Sequence, residues 1–161
     1  MRDVELLGAL SAIEVGLTIT TADESIRKIF EPYSPSIEER IQTLGKLHSA
    51  GLRTYAMIAP LLSKPEGLVT LLSGKVDCVF IDRMNYHYAD WVYRKYGLEC
   101  AMTDNFFTPK KTELVGALKG RDTLSIAVLI HVPLTYKAPT TGSTIASIPT
   151  FLCFFFFDDS F

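Results

Sequence analysis

The sequence has little cysteine, and its cysteines form no recognisable motif. Cys78, Cys100 and Cys153 are too far apart in the chain to form a C-x-x-C pair, which excludes the common zinc and dithiol sites built on that spacing. So few cysteines are typical of a reducing compartment. The acidic start of the chain, with Asp3 and Glu5, also lacks the apolar stretch of a signal peptide. We therefore expect a cytoplasmic protein.

The chain also lacks a large excess of positive or of negative charge. The 161 residues include 16 basic and 18 acidic side chains, for a net charge of −2, so there is no strong signal for nucleic-acid binding. Apolar residues make up 48% of the chain, which is enough to build a core and excludes a disordered chain. Its C-terminal apolar run at 151–157 is far below the roughly 18 to 20 residues that cross a bilayer. The composition predicts a globular domain without a membrane span.

Common catalytic and metal-binding motifs are absent too. The sequence has no glycine-rich phosphate loop, no G-x-S-x-G elbow and no H-E-x-x-H pair. Its histidines, at 48, 87 and 131, have no partners at the spacing of a metal site, so we predict no metal site. These absences leave open whether the chain is an enzyme.

The composition changes near residue 120. Beyond Arg121 the charged residues are only Asp122, Lys137, Asp158 and Asp159. Apolar runs and Ser/Thr residues fill the rest, and they show no clear period. We interpret 1–120 as the folded domain and 121–161 as an atypical tail, foreign to the domain and poorly ordered. A buried strand within the tail is the alternative.

Strand and helix patterns alternate through the first 120 residues. An every-second-residue apolar pattern predicts a strand at 13–20, and continuous apolar runs predict strands at 53–62 and 76–82. Three pairs of Ser or Thr with Glu three residues later predict capping boxes that begin helices, namely Thr21 with Glu24, Ser36 with Glu39 and Ser63 with Glu66. Further helices are predicted at 86–96 and at 108–118, the latter with Pro109 at its first position.

This order predicts a parallel α/β sheet with right-handed crossovers. About three strands with covering helices do not close a barrel, so we expect a partial (β/α) barrel fragment. The strands are apolar on both faces, and helices cover only one of them. We therefore expect the chain to self-associate or to be covered by its own tail.

Chemistry in such folds collects at the carboxyl ends of the strands. The polar group Asp82, Arg83 and Asn85 follows the third predicted strand, and Thr20 and Thr21 follow the first. These groups could orient a polar ligand, but a surface ion pair with a turn, and a helix cap, explain them equally well. The aromatic stretch around His87 could stack a base or could serve helix packing.

Several segments together resemble radical S-adenosylmethionine proteins of the spore-photoproduct-lyase-like branch. The resemblance covers about residues 3 to 119. Its most specific part is a strand ending in Thr, an acidic helix start and a Glu-Pro-x-x-Pro-Ser loop before a helix. The segments that carry it are Leu17-Thr18-Ile19-Thr20-Thr21-Ala22-Asp23-Glu24, Glu31-Pro32-Tyr33-Ser34-Pro35-Ser36-Ile37-Glu38-Glu39-Arg40, Ala50-Gly51-Leu52, Ala59-Pro60-Leu61-Leu62 and Asp82-Arg83-Met84-Asn85.

The resemblance implies the second half of a (β/α)6 barrel, with strands four to six. In similar proteins a C-x-x-x-C-x-x-C loop holds a [4Fe–4S] cluster that cleaves S-adenosylmethionine to a 5′-deoxyadenosyl radical. This chain lacks that loop, so neither cofactor is expected to bind it alone. The resemblance places Thr18 and Thr20 near the methionine and ribose of the cofactor, Ala59 and Pro60 beside its adenine, and Asp82 and Asn85 on the substrate side.

Three functions follow from these observations. The first is a fragment of a radical S-adenosylmethionine enzyme that is inactive alone. The second is a subunit or binding module that completes a barrel whose cluster half lies on another chain. The third is an unrelated α/β interaction domain.

Overall fold

The computed structural model describes residues 4–9, 13–83, 87–120 and 125–128. The helices and strands in chain order are α1 (Val4–Gly8), β1 (Glu14–Thr18), α2 (Glu24–Phe30), α3 (Ile37–Ser49), β2 (Arg53–Ile58), α4 (Leu68–Leu72), β3 (Cys78–Ile81), α5 (Asp90–Lys95), α6 (Asp104–Lys119) and β4 (Ser125–Val128). Two short 3₁₀ turns, His87–Ala89 and Glu99–Met102, flank α5.

The described strands form one parallel sheet in the order β1-β2-β3-β4. Each strand pairs with the next in the chain, with Leu17 opposite Ala56 and Val79 opposite Ile126. Helices connect the strands, because parallel neighbours need a crossover that returns the chain to the same end of the sheet. The predicted parallel α/β architecture is thereby confirmed.

The main core lies between the sheet and three crossover helices. Apolar side chains of α3, α4 and α6 pack on alternate residues of the strands, so these helices share one face of the sheet. The fully or almost fully buried members of this core are Ile19, Leu44, Ala56, Ile58, Leu68, Leu72, Val79 and Ile81.

The strand count differs from the sequence prediction. We expected about three strands, and the described residues contain four, because Ser125–Val128 pairs with β3. Ile126 also packs against the main core. This strand lies in the segment 121–161 that composition marked as a tail; the remaining residues of that segment lie outside the described residues.

Helix α3 begins and ends as the sequence predicts. Ser36 and Glu39 form the complete capping box, with Ser36 Oγ accepting from the Glu39 N–H. At the other end Gly51 has φ +82°, and the N–H groups of Gly51 and Leu52 donate to the carbonyls of His48 and Leu47. That pair of bonds is the Schellman motif, which requires the left-handed backbone that glycine adopts without strain.

The predicted starts of α2, α4 and α6 are wrong. Asp23 is the N-cap of α2, and its carboxylate accepts from the N–H groups of Ser25 and Ile26. Helix α4 follows Gly67 and has no side-chain cap. Pro109 lies inside α6, whose N-cap is Thr103. A proline in the second turn removes only one hydrogen bond near the helix start, so α6 extends through it.

None of the helices in these described ranges has the length and apolar character needed to cross a membrane.

Candidate functional site at the strand ends

Backbone hydrogen bonds hold the carboxyl ends of the first three strands together. The N–H of Leu62 donates to the carbonyl of Thr20 at 2.9 Å, and the N–H of Leu61 donates to the carbonyl of Asp82 at 2.8 Å. The segment that leaves β2 therefore lies between the ends of β1 and β3. This arrangement places Thr20, Asp82 and the Ala59-Pro60 pair at one edge of the sheet.

Those residues predicted for this edge that the structure describes are found there. Thr18 is the last residue of β1 and is half-buried, as are Ala59 and Pro60, which are joined by a cis peptide bond. Asp82 is half-buried, and one of its carboxylate oxygens accepts from the Arg83 N–H at 2.7 Å. Asn85 lies outside the described residues. The structure thus brings the ends of three strands together.

Thr20 belongs to a buried polar cluster that links β1 to α3. Its hydroxyl donates to Glu31 Oε1 at 2.6 Å, and Arg40 Nη1 donates to Glu31 Oε2 at the same distance. Arg40 Nη1 also donates to the carbonyl of Thr18 at 2.8 Å. Thr20 is 3% exposed and Arg40 is 8% exposed. We call Thr20, Glu31 and Arg40 the edge cluster.

A second arginine positions the loop that carries Glu31. Arg27, which is buried, donates from Nη1 to the carbonyls of Glu31 and Ser34 at 2.7 and 2.8 Å, and from Nε to Glu24. Burial raises the pKa of the Glu24 carboxyl, but bonds from the Ile37 N–H and from Arg27 outweigh it, so that pKa lies below its usual range. Glu24 is therefore ionised at neutral pH and keeps this loop attached to α2.

Thr21 does not cap α2, although the sequence suggested it. Its hydroxyl donates to the carbonyl of Ser63 at 2.7 Å and accepts from the Asp23 N–H at 3.1 Å. Asp23 caps the helix instead and pairs with Lys64 at 2.7 Å. The bond from Lys64 holds the pKa of the Asp23 carboxyl far below its usual range, with Ser25 contributing next. Thr21 therefore ties β1 to the segment after β2.

Glu31, Arg40 and Arg27 are functional candidates that sequence reasoning did not assign. Glu31 stands in the Glu-Pro loop that carries the resemblance, although the resemblance assigns it no role. Arg40 left a clearer signal, because it lies on the face of α3 that also carries the buried residues Ile37 and Leu44. A charged residue on such a face needs a buried partner.

The aromatic stretch after β3 divides between core and surface. Tyr93 is buried and packs on Phe30, with ring centroids 4.6 Å apart, so the packing interpretation holds for this ring. Trp91 is 63% exposed, and Tyr88 and Tyr96 are exposed as well. The His87 side chain lies at the surface beside Asp90.

The described residues do not supply ligands for an iron–sulfur cluster. Among them, no group of three or more His, Cys, Asp or Glu side chains could hold a metal ion. Cys78 is half-buried in β3, where burial raises the pKa of its thiol, and Cys100 is exposed in the second 3₁₀ turn. Cys153 lies outside the described residues. The described residues thus contain no binding site for the [4Fe–4S] cluster that the resemblance implies for intact family members.

Comparison with known proteins identifies one partial relative. No family model matches the chain, and no solved structure matches it significantly. A segment of 62 residues is 44% identical to the uncharacterized protein MJ0683 of Methanocaldococcus jannaschii. The match covers 38% of this chain and 24% of that protein, so it spans about a quarter of the relative's length. This similarity relates the segment to an archaeal protein and assigns it no activity.

Proposed function

We propose that this chain is the carboxyl-terminal half of a radical S-adenosylmethionine barrel and is inactive by itself. The observation that carries the proposal is the meeting of three parallel strand ends, where Thr20, Ala59-Pro60 and Asp82 share one edge of the sheet. Ligands of parallel α/β folds bind at that edge. The segments that carry the family resemblance supply these same residues.

Each predicted residue has a proposed task at this edge. Thr18 and Thr20 lie nearest the methionine and ribose of S-adenosylmethionine, Ala59 and Pro60 flank its adenine, and Asp82 and Asn85 face the substrate. Because the Thr20 hydroxyl already donates to Glu31, it can contact a ligand only as an acceptor. In the intact family a [4Fe–4S] cluster supplies the electron that cleaves the cofactor. The sequence of this chain has no C-x-x-x-C-x-x-C loop, so the proposal assigns it binding and positioning but no radical chemistry.

A second candidate is a subunit of a split barrel in the cytoplasm, whose cluster half is a separate polypeptide. The unpaired outer edge of β1 favours this split-barrel candidate. Among the described strands, β1 has a neighbour on one side only, and an unpaired parallel edge is a template for a further strand. Without that partner, the same edge is expected to drive self-association.

Co-expression tests both candidates. The tagged chain is produced together with the polypeptide encoded immediately upstream, and the product is reconstituted anaerobically with iron and sulfide. A split barrel predicts that a polypeptide with the C-x-x-x-C-x-x-C loop co-purifies, and that the complex retains about four irons and forms 5′-deoxyadenosine from S-adenosylmethionine. The matched control replaces the three cysteines of that loop by alanine.

The outcomes separate the three functions. An upstream polypeptide that lacks the loop, together with an inert chain, favours the fragment over the subunit. A complex that forms but produces no 5′-deoxyadenosine and does not bind S-adenosylmethionine would overturn both, and leave an unrelated α/β interaction domain.

A further inference from the structure

The face of the sheet that lies opposite α3, α4 and α6 carries a band of apolar side chains. Along a strand, side chains alternate between the two faces, and register partners share a face. Leu17, Ala56 and Val79 pack in the core beneath the helices, so their neighbours in the chain point the other way. We call these neighbours the second face; they are Gly16, Thr18, Tyr55, Met57, Cys78 and Phe80.

Tyr55 is buried more deeply than the described part of the second face explains. Its ring lies against Gly16 and meets the ring of Phe80 edge to face. These contacts cover one side and one edge of the ring, and the remaining side points away from the sheet. Yet Tyr55 is only 2% exposed. Because this burial arises within a single chain, another part of the same chain must cover the ring.

The C-terminal segment 129–161 is long enough to reach Tyr55. The other segments outside the described residues contain four residues or fewer. Strand β4 ends at Val128 within the sheet, whose four strands, about 4.8 Å apart, span roughly 14 Å. An extended chain advances about 3.3 Å per residue, so residues 129–150 can easily connect β4 to a segment lying on the second face.

We propose that the apolar run 151–157 of this segment packs across the second face and covers Tyr55 and Phe80. The run consists of Phe, Leu and Cys and carries no charge. Phenylalanine rings pack favourably on other aromatic rings and on methionine sulfur, and the second face offers Tyr55, Phe80 and Met57. Fully extended, the run is about 23 Å long, which is enough to cross all four strands.

The attachment of the run to the sheet favours it over a second copy of the chain. A tethered segment has an effective concentration on the order of millimolar, which a second copy matches only at a similar protein concentration. In the half-barrel of the proposed function, the second face is the inner face, because Thr18 lies on it. The run then fills the place of the missing half, and this consequence alone rests on the proposed function.

Cys78 reports on the cover, because it lies on the second face. The full-length chain is alkylated with iodoacetamide, and the rate at each cysteine is followed by mass spectrometry. Phe155→Asp with Phe156→Asp puts charges on both sides of an extended run and should release it, so Cys78 should react at least about tenfold faster. Ser143→Asp with Thr144→Asp adds the same charge to a polar part of the tail and should leave the Cys78 rate unchanged.

Two controls separate release of the run from unfolding. Cys100, which is exposed, should react at the same rate in every variant. Val79→Cys, combined with Cys78→Ser, puts a thiol on the helix-covered face, where Val79 is fully buried, and this thiol should stay protected when the run is charged. If it also reacts, the milder pair Phe155→Ser and Phe156→Ser replaces the charged pair.

The outcomes decide between the possible covers. A faster reaction of Cys78 in the run variant alone, at every protein concentration, supports the proposal. An unchanged Cys78 rate in that variant overturns it. Protection of Cys78 that falls when the wild-type chain is diluted assigns the cover to a second copy and also overturns it. Because no partner is present, these results do not depend on the proposed function.

Discussion

Gly16 lies directly against the ring of Tyr55, its register partner on β2. A Cβ added to Gly16 would overlap three atoms of that ring. Tyr55 is 2% exposed and meets Phe80 edge to face, with ring centroids 5.4 Å apart, so its ring has little room to move. The glycine is needed here for the close approach of a neighbouring aromatic ring rather than for an unusual backbone angle.

Gly16→Ala is therefore expected to destabilise the chain by about 1 to 3 kcal/mol, because the buried Tyr55 ring must shift. Urea denaturation followed by circular dichroism measures the change. Gly116→Ala is the matched control, since nothing lies within 4 Å of its added Cβ in α6. There the substitution should stabilise by roughly 0.5 to 1 kcal/mol. Equal effects at both positions would show that the Tyr55 contact does not matter.

The edge cluster gives a second prediction. Thr20→Val keeps the shape of the side chain but removes the donor to Glu31, and a hydrogen bond to a charged group is worth about 1.5 to 3 kcal/mol. We expect a loss in that range from thermal denaturation. Thr112→Val is the control, because the Thr112 hydroxyl lies at the surface and donates only to the Thr108 carbonyl. If Thr20→Val lowers the stability no more than Thr112→Val does, the Thr20–Glu31 hydrogen bond does not stabilise the fold.

The order of strands and helices could be predicted because hydrophobic periodicity is local. The first strand illustrates the limit of that signal. It was predicted to continue through residue 20, and it ends at Thr18, although the Ile19 N–H still bonds to β2. Caps were harder, because Thr21 and Asp23 both lie beside the start of α2 and either could cap it. Asp23 is the cap because the Thr21 hydroxyl donates to the Ser63 carbonyl, about 40 residues away in the chain.

The edge cluster could not be predicted for the same reason. Arg40 and Glu31 lie nine positions apart, but their pairing needs the loop geometry that Arg27 imposes. The residues at the strand ends could be named in advance, since parallel strands place their carboxyl ends together. Which hydroxyl groups at the strand ends remain available to a ligand depends on tertiary packing, which cannot be read from local sequence patterns.

The fourth strand gives a third prediction, on the domain boundary. A chain that ends at Gly120 lacks β4, whereas a chain that ends at Val128 keeps it and keeps the contact of Ile126 with the core. We expect the shorter chain to be less stable by about 2 kcal/mol or more, because it loses apolar burial and one ladder of hydrogen bonds. Urea denaturation of both chains measures the difference. Equal stability of the two chains would show that β4 is not needed for the folded domain.

Tyr93 provides a pH-dependent prediction. Burial, and after it the Asp90 carboxylate, raises the pKa of Tyr93 to about 12. In the unfolded chain a tyrosine has a pKa of about 10. The contribution of Tyr93 to the free energy of unfolding is therefore fully present below about pH 10 and is lost as the pH rises toward 12, since in that range only the unfolded chain releases the proton.

Denaturation midpoints between pH 8 and 11.5 would measure this loss. Tyr93→Phe should flatten the decline, because phenylalanine has no proton to lose. Tyr33→Phe, at a ring that is 88% exposed, should leave the decline unchanged. A decline in the Tyr93 variant as steep as in the wild type would assign the alkaline instability to other groups.

The last prediction concerns iron. A [4Fe–4S] cluster needs several thiolates on one loop or in one cavity. Cys78 lies in β3 and Cys100 in the second 3₁₀ turn, and no set of three ligating side chains converges within the described ranges. Anaerobic reconstitution of the chain alone should therefore yield no cluster absorbance that survives gel filtration. The double variant Cys78→Ser, Cys100→Ser corrects for iron loosely held at single thiols. Roughly four irons per wild-type chain, absent from that variant, would contradict the proposal that this chain is the half of a barrel that lacks the cluster.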